Sequence, residues 1–146
     1  MLSVLFTSLV ALVTCVFIHH RLLGLLSVQL PHLRVGQRRV MLGIIGALGA
    51  HLLEIAVFAA AMSMLHRLPA DWGVGQLQST EAHGMTDFLY WSAVSYTTMG
   101  FEHATPLGAI RLLVGMEALV GLVLVAWTAS FTYVQMDKYW SEHPRK

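Results

Sequence analysis

The chain has one cysteine, Cys15, so no disulfide can close within it, and its place in an apolar run makes it a small buried hydrophobe. Charge is scarce as well: only 12% of residues are Asp, Glu, Lys or Arg, against about a quarter in soluble domains. A net charge of +1, with no basic cluster, gives nucleic acid nothing to bind. No basic stretch precedes the first apolar run and no small-residue cleavage site follows it, so a retained helix is expected there instead of a signal peptide. No nucleophile–base set or phosphate loop occurs, and no enzyme is expected. No apolar run carries repeated arginines, which excludes a voltage sensor of the usual kind.

What is present is hydrophobic length. The chain is 56% hydrophobic over 146 residues, room for about three spans of roughly 20 residues each. The first run, residues 2–18, is uncharged; it is expected to continue past His19, His20 and Arg21 through LLGLLSVQL and to stop at Pro31. The second, residues 40–65, is interrupted only by His51 and Glu54. Residues 66–84, with Pro69, Asp71 and three glycines, read as a loop. The third run, residues 88–101 between Asp87 and Glu102, is too short to cross a bilayer. The last, residues 112–134, is a full span with one charge, Glu117, followed by a polar tail.

Charge placement orients these runs. Of nine Lys and Arg residues, all but Arg67 and Arg111 lie in the first connection (Arg21, Arg34, Arg38, Arg39) or the tail (Lys138, Arg145, Lys146). Both segments are then cytoplasmic by the positive-inside rule. An even number of crossings must separate them. Runs 40–65 and 112–134 supply two, so run 88–101 enters from outside and returns outside. Tyr133, Tyr139 and Trp140 mark the cytoplasmic exit of the last span. A multi-pass cell-membrane protein is expected, with its N-terminus outside and its C-terminus cytoplasmic.

A re-entrant segment puts irregular backbone at membrane depth, which is tolerated only inside protein or along a water-filled path. Thr86 and Asp87 are expected to cap a short helix running from Phe88 to about Tyr96. Its C-terminal dipole would favour a cation. The following Thr97-Thr98-Met99-Gly100-Phe101 offers carbonyls and hydroxyls able to replace an ion's hydration shell. One hairpin cannot form a ring, so cyclic symmetry is needed.

Residues 91–101, WSAVSYTTMGF, resemble the pore helix and filter of potassium channels, whose filter reads T-x-G-[YF]-G-D. Residues 106–122, PLGAIRLLVGMEALVGL, resemble the inner helix of the two-transmembrane ion channel family. The resemblance covers roughly residues 85–140 and leaves the first helix as an addition. It implies an all-α membrane protein: three transmembrane helices and a re-entrant pore helix/filter hairpin in a four-fold symmetric homotetramer. Residues 1–39 would form the extra helix and basic connection. Residues 40–146 would form the pore domain, with outer helix 40–66, pore helix and filter 86–103, inner helix 108–135 and a short tail. By resemblance Thr98, Met99, Gly100 and Phe101 match the first four filter positions, with Thr97 before them. Glu102 replaces the fifth-position glycine and His103 the aspartate, so carboxylates and imidazoles would gather at the outer mouth. The implied function is a cation channel conducting K+ or other monovalent cations, with the lipid bilayer and the permeant ion as partners and no cofactor.

Inside the spans, His51 and Glu54 are one turn apart on one face and read as a polar tie between helices or an ion- or proton-contacting pair. Glu117 reads as a tie from the last span to the back of the hairpin. Gly115 and Gly121 are open to two readings, a gating hinge or close helix packing. His19 and His20 read as interface markers, because no second histidine pair stands on a facing span, and no metal site is assigned. A non-conducting scaffold and a His/Glu metal- or haem-binding protein built on His19, His20, His51 and Glu54 remain as alternatives.

Overall fold

The computed structural model describes residues 1–30, 38–69, 72–79, 84–100 and 104–142. Three long helices are apolar enough to cross a membrane: α1 (Leu2–Gln29), α2 (Arg38–His66) and α4 (Ile110–Glu142). At 1.5 Å per residue the 33 residues of α4 extend about 50 Å, so the helix outruns a hydrocarbon core of about 30 Å at its polar end. Between α2 and α4 lie strand β1 (Gln76–Ser79), the short helix α3 (Met85–Tyr96) and strand β2 (Ala104–Leu107).

All three long helices are apolar on most of their circumference. Leu2, Phe6, Leu9, Val13 and Phe17 of α1, Leu48 and Leu52 of α2, and Leu119, Leu122 and Val123 of α4 lie exposed. In water such surface would drive aggregation; in lipid it is the solvent-facing side. The interior is small-grained where helices approach. A Cβ on Gly46 of α2 would stand 2.7 Å from Leu26 of α1, and one on Gly43 would stand 3.1 Å from Leu30. Small residues of this kind let membrane helices pack closely. The core continues through Cys15, Phe58, Met62, Leu65, Leu77, Phe88, Trp91, Ile110, Leu113 and Leu124, so every element contributes to it.

Several expectations change here. The first helix does continue past Arg21, and it reaches Gln29. The segment read as a loop contains β1, which pairs antiparallel with β2 in the register Gln76↔Leu107 to Ser79↔Ala104. The all-helical class holds, with this two-stranded ribbon as an addition to it. The sequence hid this strand because QLQS has little β character of its own, and the pairing supplies it. The cap of α3 also differs: the N-cap is Gly84, and Asp87 at the third helical position reaches back, its Oδ2 accepting from the Gly84 N–H at 2.7 Å.

The pairing of β1 with β2 fixes the geometry of everything between them. The chain leaves the strand pair, runs through α3 and comes back to the same pair. The base is closed by the Ile110 N–H donating to the Val74 carbonyl at 2.8 Å. Two glycines make this approach possible. Gly75 has φ +85° and Gly108 φ +77°, and a Cβ on Gly75 would lie 2.0 Å from the Leu107 carbonyl oxygen.

Gly75→Ala is therefore expected to cost at least about 2 kcal/mol, from left-handed strain together with a backbone clash. Gly24→Ala, on a helix face with nothing within 4 Å, is expected to be neutral or stabilising by up to about 1 kcal/mol. Thermal unfolding in detergent checks both. Equal melting temperatures for the two variants would contradict the account of the hairpin base.

Candidate functional site

Helix α3 has 12 residues, about 18 Å, and is wedged between α2 and α4. Its polar residues 92, 95 and 96 share one face by the i, i+3, i+4 rule, and each is spent on a neighbour. The Ser92 hydroxyl donates to the Ile55 carbonyl of α2 at 2.7 Å and also meets Oε1 of Glu117 on α4. Ser95 donates to the Val114 carbonyl of α4 at 3.0 Å. Tyr96 donates to Glu54 of α2 at 2.5 Å. Interhelical bonds in membranes are worth roughly 1 kcal/mol each, so these fix the position of α3 more than they stabilise it.

The helix ends in a capping turn. Met99 N–H reaches the Val94 carbonyl (3.0 Å) and Thr98 N–H the Ser95 carbonyl (2.9 Å), the paired bonds of a Schellman motif. The left-handed position of that motif, usually glycine, is Thr98 at φ 60°. Gly100 follows at φ +86° with nothing within 4 Å of a would-be Cβ. The sign of φ thus alternates over Thr98, Met99 and Gly100, since Met99 is not among the positive-φ residues. Thr97, Thr98, Met99 and Gly100 are all exposed, Met99 by 80%. A left-handed threonine costs about 1–2 kcal/mol and persists only where its surroundings over-determine it. Phe101, Glu102 and His103 lie outside the described residues.

Immediately behind this strand is a buried polar cluster that draws on all four helices. Glu54 of α2 is fully buried. Its Oε1 lies 2.8 Å from Nδ1 of His19 on α1, also fully buried; its Oε2 takes the Tyr96 hydroxyl of α3 and lies 3.2 Å from Nδ1 of His51. The Nε2 atoms of both histidines approach Oγ1 of Thr128 on α4, at 2.9 Å for His51 and 3.3 Å for His19. Trp127 covers His19 with ring centroids 5.3 Å apart. His20, one position on, is exposed and outside the cluster.

The His51–Glu54 pair was visible from its spacing. Tyr96 and Thr128 were not, and His19, read as an interface marker and joined to His51 and Glu54 only in the metal-binding alternative, is fully buried with its ring 5.2 Å from that of His51. Of the two glycines, Gly121 seats the C-terminus of α3, since a Cβ there would lie 2.1 Å from the Tyr96 carbonyl oxygen, whereas Gly115 faces open space. On Glu117, Oε2 is buried without a hydrogen-bond partner among the described residues.

Glu54→Ala is expected to cost about 3 kcal/mol, because it strands a fully buried histidine, a part-buried one and a buried tyrosine. Tyr96→Phe is expected to cost about 1–2 kcal/mol. In a double-mutant cycle the pair should fall short of additivity by at least about 1 kcal/mol. Additive melting shifts would show that the two residues act independently.

A family model described as ion channel matches residues 50–137, more than half of the chain. No curated protein and no solved structure matches it. The matched stretch takes in α3, the Thr97–Gly100 strand, nearly all of α4 and the His51–Glu54 side of the cluster. It leaves out α1 and His19.

Proposed function

Because the chain belongs to the two-transmembrane, potassium-channel-like ion channel family, we propose that it is a subunit of a homotetrameric cation channel with α3 as its pore helix. The observation that carries this reading is the β1–β2 pairing around α3. An excursion that starts and ends at one strand pair, with a helix of only about 18 Å, enters a bilayer and leaves on the same side.

The chemistry follows from the end of α3. Its C-terminus directs partial negative charge at the strand that follows. In that segment left-handed Thr98 and Gly100 flank Met99, and the segment supplies the carbonyls, with Thr98 adding a hydroxyl. Four such strands around an axis replace the water shell of a monovalent cation, K+ by family resemblance. The exposure of residues 97–100 in a single chain fits a surface that other subunits cover. Glu102 and His103 form the outer mouth and Phe101 the filter's fourth position. Helix α2 is the outer helix and α4 the inner helix. Gly115, with open space around it, is the bend point for a gate, and Gly121 braces the pore helix. The charge distribution orients the N-terminus outside and the C-terminus in the cytoplasm.

Purified protein in liposomes is expected to pass K+ down its gradient, with reversal potentials in sodium, potassium and calcium gradients ranking the ions. Glu102→Gly, which restores the family's glycine at the mouth, is expected to shift the relative permeability toward K+. Unchanged reversal potentials would remove Glu102 from the selectivity site. Zero flux at every pH and voltage would make the chain a non-conducting scaffold.

A further inference from the structure

We propose that the buried cluster between α1 and α2 is a binding site for a divalent transition metal, held by Nδ1 of His19, Nδ1 of His51 and the carboxylate of Glu54. One donor atom from each of these three residues lies within 4.8 Å of the others. The site is independent of the channel proposal, because it is argued from the cluster's own donor geometry.

Nδ1 of His19 lies 2.8 Å from Oε1 of Glu54, and Nδ1 of His51 lies 3.2 Å from Oε2. The Tyr96 hydroxyl lies 2.5 Å from the same Oε2 and 2.8 Å from His51 Nδ1. The far ring nitrogens, Nε2 of His51 and of His19, approach Thr128 Oγ1 at 2.9 and 3.3 Å, and that oxygen can accept from both. When both Nε2–H groups donate there, both Nδ1 lone pairs face Glu54 and are free to bind a cation. A divalent ion then joins the two rings and the carboxylate.

The donor set selects the ion. Imidazole nitrogens suit zinc, copper, nickel and iron, whereas calcium and magnesium require oxygen shells. With bonds of 2.0–2.1 Å, neighbouring donors of a tetrahedral zinc stand about 3.3 Å apart, and the two imidazole–carboxylate separations are 2.8 and 3.2 Å. Metal-binding histidines donate their second ring N–H to an outer partner, which is the role of Thr128 here. Tyr96 Oη lies within hydrogen-bond distance of both His51 Nδ1 and Glu54 Oε2. Glu54 supplies the negative charge that a buried cation needs. His51, with 12% of its side chain exposed, gives the ion a way in.

The test uses the full-length protein in detergent, stripped with chelator and titrated with Co2+. One Co2+ per chain is expected, with a visible ligand-field band that Zn2+ abolishes. His19→Ala and His51→Ala are each expected to weaken binding at least about 100-fold, and Thr128→Ala about 10-fold. His20→Ala, altering an exposed neighbour, should leave it unchanged. The wild type decides the matter even if a variant fails to fold: no band at stoichiometric Co2+ means the cluster holds only a proton, and the proposal falls. A band that survives in folded His19→Ala or disappears in His20→Ala overturns it equally. Because metal is read without flux, a protein that binds Co2+ but does not conduct sinks the channel proposal alone.

Discussion

Glu54 is a carboxylate with no exposed surface in a helix that lipid would otherwise surround. A lone charge at membrane depth costs several kcal/mol, so its two oxygens must be answered by polar side chains; His51 on the same helix supplies one, and the rest come from other helices. His19 answers from α1 and Tyr96 from α3, and Thr128 of α4 joins through both histidines. No helix in this set can rotate or slide without leaving one of these groups unpaired in a dry interior. Apolar packing alone would not impose that restriction, since helix surfaces are as compatible with lipid as with each other. The cluster therefore fixes the relative register of the four helices.

That register matters because of where Tyr96 sits. It is the last residue of α3, and Thr97 and Thr98 follow it directly. Its side chain is anchored by Glu54, and its carbonyl lies so close to α4 that only glycine fits at position 121. The C-terminus of α3 is thus held from two sides, while the strand after it is exposed and left-handed at Thr98. The outer end of the same excursion is held by β1 and β2. The exposed segment is strained at Thr98, and it begins at a rigid attachment.

Much of the architecture was legible beforehand. The long uncharged runs announced α1, α2 and α4, and the shortness of run 88–101 announced a helix that could not span. The spacing of His51 and Glu54 marked a polar face. The strand pair was not legible, because QLQS and ATPL carry weak signals that only their mutual pairing makes sense of. Nor was the cap at Gly84, because Thr86 and Asp87 are both good N-cap residues and the choice depends on where the chain enters.

Sequence by itself determined that the chain lives in a membrane, that one apolar segment is too short to cross it, and that Thr98 to Gly100 follow the end of a short helix. These depend on length, hydropathy and local backbone preference, which are properties of contiguous residues. Only the tertiary structure decided that His19 belongs with Glu54 and His51, that Thr128 orients both rings, and that Gly121 seats Tyr96. Those partners lie 35 to 109 residues apart in several of the bonds concerned. Contacts at such separation depend on how helices rotate against each other, and no local pattern records that rotation.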